Sequence, residues 1–153
     1  MTKLKNTHSP DQINPDQYKA IFYSGGGASM FGIVDNERIQ SIAMSIYESN
    51  GVISTICHGS IGISNLKTKD GKYLVEGKKI NGFPDQFENK EAAYFQEFEY
   101  SVEGLLKKRG AKFSYSQEGW DGYYIQDGRI ITGQDPSSAE SVANSIIKTL
   151  QTK

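Results

Sequence analysis

The chain has few of the residues that give small proteins covalent or metal-based stability. Among its 153 residues there is a single cysteine, Cys57, which excludes an intramolecular disulfide and favours a reducing compartment. There are only two histidines, His8 and His58, and neither has a second histidine or cysteine at metal-ligand spacing. The sequence therefore predicts neither a disulfide-stabilised secreted protein nor a metal site.

An excess of one charge and long apolar runs are also missing. The 17 basic residues nearly balance the 18 acidic ones, so no broad attraction to nucleic acid or to a membrane is expected. The basic run at 107–109 precedes Gly110, where cations complement a helix C-terminus. No apolar run is long enough to cross a bilayer, and the first residues contain no signal-peptide core. A cytoplasmic protein without nucleic-acid or membrane partners is expected.

Hydrophobic periodicity predicts alternating strands and helices over residues 18–153. The predicted strands occupy 19–24, 52–56, 79–82, 111–116, 123–126 and 129–133, and the last two are joined by a hairpin turn at 127–128. The predicted helices occupy 36–51, a short stretch after 57, the second half of 95–110, and 136–150. Residues 1–17 are polar, contain two prolines and are predicted to be an irregular lead-in.

The last predicted helix has a cap and an apolar face of its own. Ser137 or Ser138 is expected to cap it, and Glu140 lies in its first turn. The residues expected to form its apolar stripe are Val142, Ile146, Ile147 and Leu150. Together with the preceding elements, this helix completes the pattern of an α/β domain with a mainly parallel sheet.

Two segments directly follow predicted strands, at the edge where ligands bind in such sheets. The first is the glycine run at 25–27, and the second begins with Cys57. The glycine run could cradle a phosphate, form a plain tight loop, or bring a backbone N–H close to a substrate oxygen. It lacks the Lys-Ser/Thr of a P-loop and the spacing of a dinucleotide fingerprint.

Cys57 has two interpretations that the residues alone leave open. Gly59 and Ser60 would allow a sharp turn that exposes the thiol, and a following helix N-terminus would favour its thiolate form. The backbone N–H of His58 would then face an oxyanion formed on an attacked carbonyl. Alternatively, Cys57 is a small, buried and inert side chain.

The segment 83–91 contributes three acids that could orient His58. They are Asp85, Glu88 and Glu91, and the simplest interpretation of each is a solvated loop residue. A carboxylate that hydrogen-bonds His58 would instead complete a Cys-His-acid arrangement, which depends on geometry rather than on sequence order.

In order along the chain, these motifs resemble the ThiJ/PfpI family of the class I glutamine amidotransferase-like superfamily, in particular its glyoxalase III-like chaperone/deglycase branch. The matching segments are YKAIFYSGGGASMFGI (18–33), ISTICHGSIGI (53–63), GKKINGFPDQFE (77–88), VEGLLKKRGAKF (102–113) and DGRIITGQDPSSAESVA (127–143). The resemblance implies a flavodoxin-like three-layer sandwich. In the last segment the family usually has Asn where this chain has Asp135.

The resemblance also implies an activity and roles for five residues. Cys57 would be the nucleophile, His58 its neighbouring base and Glu88 the acid that orients the histidine, while backbone N–H groups of Gly26, Gly27 and His58 would bind the substrate oxyanion. The implied reaction converts a small 2-oxoaldehyde such as methylglyoxal to a hydroxy acid without a cofactor. Glutamine amidotransfer is disfavoured, because that chemistry uses a late histidine and none follows His58.

Two departures from the family pattern bear on activity. Gly27-Ala28 stands where the branch usually has His-Gly. The family's N-terminal strand-helix-strand portion, which carries a glutamate hydrogen-bonded to the cysteine, has no counterpart before residue 18. We therefore expect exposed apolar strand edges, pairing in a homodimer or with a separate N-terminal piece, and weak or no turnover by this chain alone. A redox-sensitive stress or chaperone protein and a cysteine peptidase-like member are the alternatives.

Overall fold

The structure is a computed structural model and describes residues 6–152. Its strands are β1 (Ala20–Tyr23), β2 (Val52–Ile56), β3 (Lys79–Ile80), β4 (Lys112–Phe113), β5 (Tyr124–Asp127) and β6 (Ile130–Gly133). Its α-helices are α1 (Glu37–Glu48), α2 (Ala93–Gln96), α3 (Val102–Lys108) and α4 (Ala139–Gln151). Short 3₁₀ segments connect them, of which Gly27–Met30, Cys57–Ile63 and Asp85–Phe87 lie around the candidate site.

Four strands form the main sheet in the order β1-β2-β6-β5. β2 pairs in parallel with β1 and with β6, and β5 pairs antiparallel with β6 through the predicted hairpin turn. The sheet is therefore mainly parallel, as the sequence predicts. This topology brings the carboxyl ends of β1 and β2 together, which places the glycine run beside Cys57.

β3 and β4 form a separate parallel pair rather than further strands of the main sheet. Side chains connect this pair to the main sheet. The Lys79 backbone N–H donates to Asp127 at 2.9 Å, and the Asn81 N–H donates to the Thr132 hydroxyl at 3.0 Å. These side-chain acceptors take the place of backbone partners, so the segment that leads to Glu88 is fixed beside β6.

Helices cover both faces of the main sheet. On one face, Val52 and Ile131 pack against Val142 of α4. On the other face, Ile53 and Ile130 belong to a larger core to which α1 and α3 contribute, for example through Leu106. The arrangement is the three-layer α/β sandwich expected for a flavodoxin-like fold.

The start and the apolar stripe of α4 differ from the prediction. Ser138 occupies the N-cap position of α4, as predicted, but its side chain makes no capping hydrogen bond; the helix is preceded by a 3₁₀ turn in which Asp135 accepts the Ser137 N–H at 3.0 Å. Ile147 is largely exposed, whereas Ser145 is buried and donates its hydroxyl to Gln126 of β5 at 2.7 Å. The stripe is narrower than predicted because a polar contact occupies part of it.

The lead-in contains two 3₁₀ turns, Pro10–Gln12 and Pro15–Gln17. Arg38 of α1 donates to the Pro10 and Ile13 carbonyls at 3.2 and 2.7 Å, and thereby ties this segment to the fold. Residues 1–5 of the predicted lead-in lie outside the described residues. The boundary after residue 17 stays a prediction.

Candidate active site

Cys57 directly follows β2 and is the first residue of the 3₁₀ segment Cys57–Ile63, so the chain turns sharply at this residue. Its φ is +57°, in the left-handed region that a residue with a side chain rarely adopts. Such a conformation costs about 1–3 kcal/mol and persists only where the surroundings impose it. Here β2 is buried along its whole length, and a side chain at Gly59 would collide with the Tyr23 and Ser24 carbonyl oxygens. The geometry resembles a nucleophile elbow.

His58 and Glu88 continue from the thiol in a hydrogen-bonded line. The Cys57 sulfur is 3.3 Å from His58 Nδ1, and His58 Nε2 donates to Glu88 Oε1 at 2.9 Å. The side chains of His58 and Glu88 are only 10% and 2% exposed. The structure thus brings together the three residues that the sequence analysis named as nucleophile, base and orienting acid.

The surroundings of His58 favour its protonated form. Burial opposes this by favouring the neutral ring, but the hydrogen bonds that His58 makes with Cys57 and Glu88, and their electrostatic effect on the ring, outweigh burial and raise the pKa of His58 to about 9. At neutral pH the ring is therefore an imidazolium whose Nδ1–H points at the sulfur. Such a group can deliver a proton to an oxyanion formed next to Cys57.

Of the three candidate acids, Glu88 alone bonds to the histidine within the described part of the chain. Glu91 is exposed. Asp85 begins the 3₁₀ turn that ends directly before Glu88, and its backbone N–H donates to Glu103 of α3 at 3.0 Å. Glu103 is buried and also accepts from Lys107 at 2.5 Å. The sequence analysis missed this support, because the capping carboxylate lies eighteen residues from Asp85.

The glycine run lies against the elbow, but the residue in closest contact is Gly25 rather than the two that were named. A side chain on Gly25 would begin 2.7 Å from the Cys57 Cβ and 3.4 Å from its sulfur. Gly26 has a φ of +103°, and Gly27 begins the 3₁₀ turn Gly27–Met30. The assignment of the Gly26, Gly27 and His58 N–H groups to an oxyanion stays a prediction.

Aromatic rings surround His58. Phe83 stacks on the imidazole with ring centroids 4.7 Å apart, and Phe98 meets it edge-on at 5.9 Å. Phe83 also packs with Cys57 and Phe87 in one small apolar cluster. The sequence analysis passed over these rings, although the five aromatic residues in 83–98 were a visible concentration.

Residues 6–152 contain neither a candidate metal cluster nor a candidate membrane-spanning helix. In residues 6–152, no group of three or more His, Cys, Asp or Glu side chains is arranged to hold a metal ion. In the same part of the chain, none of the helices has the length and apolarity needed to span a bilayer.

Comparison with known proteins identifies relatives over most of the chain. It is 36% identical over 146 residues to the glutathione-independent glyoxalase HSP31 of Saccharomyces cerevisiae, an alignment that covers 92% of this chain and 61% of that protein. The structure of glyoxalase III from Candida albicans superposes with a TM-score of 0.88 at 30% identity, covering 97% of this chain and 64% of the other. The structure of the Francisella tularensis Rapid Encystment Protein 24 kDa superposes with a TM-score of 0.87 at 34% identity, covering 95% of this chain and 64% of the other.

The chain therefore spans slightly less than two thirds of the length of these relatives. The similarity extends to the family as a whole, because residues 2–149 of the 153 match the DJ-1/PfpI family. The match includes the elbow, the glycine run and the acid-bearing loop described above. This chain belongs to the DJ-1/PfpI family.

Proposed function

We propose that the chain is the nucleophile-bearing part of a cofactor-independent glyoxalase that converts small 2-oxoaldehydes, such as methylglyoxal, to 2-hydroxy acids. The observation that carries the proposal is the buried line from the Cys57 sulfur through His58 to Glu88, with contacts of 3.3 and 2.9 Å. The relatives named as glyoxalases support the choice of substrate class.

The first step is attack of the Cys57 thiolate on the aldehyde carbon. A carbon–sulfur bond forms, and the carbonyl electron pair moves to oxygen, which takes the Nδ1 proton of His58 to give a hemithioacetal. Glu88 accepts the Nε2–H throughout, so it holds the ring in position and stabilises its positive charge. N–H groups of Gly26, Gly27 and His58 would stabilise the developing oxyanion.

The remaining steps redistribute protons and add water. The hydrogen on the former aldehyde carbon leaves as a proton, and a proton is added at the neighbouring carbon. The hemithioacetal hydroxyl gives its own proton to the neighbouring carbonyl oxygen, so that oxygen becomes the new hydroxyl and the first carbon becomes a carbonyl. This internal transfer oxidises one carbon, reduces the other, and gives a thioester of the 2-hydroxy acid. Water then cleaves the carbon–sulfur bond and restores the thiol. No external oxidant or reductant is consumed.

The carbon-to-carbon proton transfer calls for a base near the sulfur in addition to His58. Within residues 6–152, His58 is the hydrogen-bonding partner of the Cys57 sulfur. An apolar groove of about 610 Å³ runs along the edge strand β1, between Tyr18 and α1, and ends at Gly25 beside the thiol. A polypeptide in this groove could therefore place a carboxylate next to Cys57.

The groove has two candidate occupants: a separate N-terminal piece and a second copy of this chain. We favour the separate piece, because more than a third of the length of these relatives lies outside the part that this chain matches. It would also pair with the free edge of β1 and cover the exposed ring of Phe22. Because the reaction needs a reduced thiol, we place it in the cytoplasm.

The test is lactate formation from methylglyoxal by the purified chain and by Cys57→Ser. We expect slow lactate formation that the substitution abolishes, together with a reversible methylglyoxal adduct on Cys57 detected by mass spectrometry. Lactate formation that survives Cys57→Ser contradicts the proposal. So does the absence of both lactate and adduct in the unmodified chain.

A second candidate function is a stress protein that holds unfolded clients. The observation in its favour is the apolar groove, together with the exposed Tyr18 and Phe22 at its edge. Phe22→Ser should weaken suppression of client aggregation and leave adduct formation on Cys57 unchanged. Loss of aggregation suppression in Cys57→Ala but not in Phe22→Ser would contradict this assignment.

A further inference from the structure

Two lines of aromatic rings run from His58 to the surface. In the first, Phe83 stacks on His58, and Trp120 meets Phe83 at a centroid distance of 6.2 Å. In the second, Phe98 meets His58, and Phe31 and Tyr94 each lie 5.7 Å from Phe98. The outer rings are well exposed: 59% for Trp120, 54% for Phe31 and 50% for Tyr94.

These residues extend in two lines from the reacting group to the surface, and each line ends in an exposed aromatic residue. We call this group the aromatic rim, and it consists of Phe31, Phe83, Phe87, Tyr94, Phe98 and Trp120. Cys57 packs in the same cluster as Phe83 and Phe87, and Phe87 lies 5.7 Å from Trp120. Exposed aromatic residues joined in one patch are typical of a binding surface, whereas single exposed rings are not.

The backbone of Trp120 adopts a strained conformation. Its φ is +49°, in the left-handed region, and it lies between Gly119 and Gly122, which have φ values of +65° and +76°. The Trp120 N–H donates to Asp135 at 2.9 Å, and Asp135 is completely buried. A strained backbone is a costly way to display an indole ring in water, and binding by that ring would account for it.

The position of the rim decides which part of a substrate it can touch. Phe83 and Phe87 pack in the same cluster as Cys57, so they can contact the substituent on the neighbouring carbon once Cys57 has attacked the aldehyde carbon. A methyl substituent is too short to extend past this inner layer. A phenyl group is long enough to reach toward the outer rings, where offset or edge-on ring contacts are favourable.

We propose that the aromatic rim binds the substituent on the 2-oxo carbon and makes the site selective for 2-oxoaldehydes with an aromatic substituent. This inference rests on the proposed function. Trp120 is its specificity-determining residue, because its ring is the most exposed of the rim and joins both Phe83 and Phe87.

The first test compares kcat/KM for phenylglyoxal and methylglyoxal. In Trp120→Ala, we expect the ratio of the two values to fall about 2- to 10-fold, the worth of one aromatic contact. Trp120→Phe keeps an aromatic ring at this position, so its ratio of kcat/KM values should stay close to that of the unmodified chain. Tyr124→Ala is the matched control, because it removes an exposed ring from β5. An unchanged ratio in Trp120→Ala, or an equal fall in Tyr124→Ala, overturns the proposal.

The second test needs no turnover and so separates the inference from the proposed function. Trp120 is the only tryptophan of the chain, so its fluorescence reports ligands at the rim directly. Mandelate and lactate are the products expected from phenylglyoxal and methylglyoxal. Mandelate should perturb the fluorescence at concentrations at least about 2- to 10-fold lower than lactate does. Equal or weaker binding of mandelate overturns the inference, whether or not the chain turns over either aldehyde.

Discussion

The hydrogen-bonded contacts of His58 with Cys57 and Glu88 give the sharpest prediction on the electrostatics of the site. Three influences act on the His58 pKa: burial lowers it, and the contacts with Cys57 and with Glu88 each raise it. The net change from the ordinary value of 6.5 to about 9 corresponds to about 3 kcal/mol in favour of the imidazolium. Removing one of the two contacts that raise the His58 pKa should therefore lower that pKa part of the way, and removing both should lower it further.

The perturbations are Cys57→Ala, Glu88→Gln and the double substitution. Each single variant keeps one of the two raising contacts and should titrate between the double variant and the unmodified chain. In the double variant the contact with Cys57 and the carboxylate charge are both removed, although an uncharged amide at position 88 can still accept the Nε2–H, so we expect the lowest His58 pKa of the series. The order of the pKa values, rather than any single value, is the test.

The assay is a pH titration of the imidazole resonances by NMR. The chain has only two histidines, so the spectrum contains one signal for His58 and one for exposed His8, which serves as an internal reference. A His58 pKa near 6.5 in the unmodified chain would refute the claim that these contacts raise it. So would a value that stays near 9 in Cys57→Ala and in Glu88→Gln alike.

Three further predictions concern pH, the acid loop and the glycine run. Because the folded-state pKa of His58 is raised, its contribution to the free energy of unfolding is fully present below pH 6.5 and is lost as the pH rises through about 9. Urea unfolding measured from pH 6 to 9.5 should therefore show a loss of up to about 3 kcal/mol in the free energy of unfolding. The loss should be much smaller in the double variant. Glu103→Ala leaves the Asp85 N–H without its acceptor, so the chain should lose about 1–3 kcal/mol and the His58 pKa should fall. Glu103→Gln keeps an acceptor and Lys107→Ala keeps the Asp85 contact, so a fall in either equal to that in Glu103→Ala would argue against this positioning role. Gly25→Ala would push a methyl group into Cys57, so alkylation of the thiol by iodoacetamide should slow about 10- to 100-fold, and an unchanged rate would contradict the close packing of the run.

The sequence predicts the strands and the elbow well because their signals are local. The apolar run 52–56 followed by Cys57, His58 and Gly59 contains in eight residues the strand, the turn and two of the candidate site residues. The choice of Glu88 among three acids came from the family resemblance, and the structure places its side chain against His58. Periodicity alone could not have made that choice.

The misses involve contacts between residues distant in sequence. Glu103 caps the turn before Glu88 from another helix, and Gly25, which the sequence did not single out, lies against Cys57 at the end of β1. The predicted stripe of α4 included Ile147, since periodicity does not show that Ser145 finds a partner on β5. Such pairings depend on tertiary geometry, which a pattern of apolar residues does not contain.

The central claim is that Cys57 is a nucleophile activated by His58, and that Glu88 holds His58 in position. The most direct measurement is the mass of the intact chain after brief exposure to methylglyoxal, compared with Cys57→Ser and Glu88→Gln. The account predicts one reversible adduct on Cys57 in the unmodified chain, none on residue 57 in Cys57→Ser, and slower formation in Glu88→Gln. Adducts confined to lysine and arginine, with Cys57 unmodified, would contradict it.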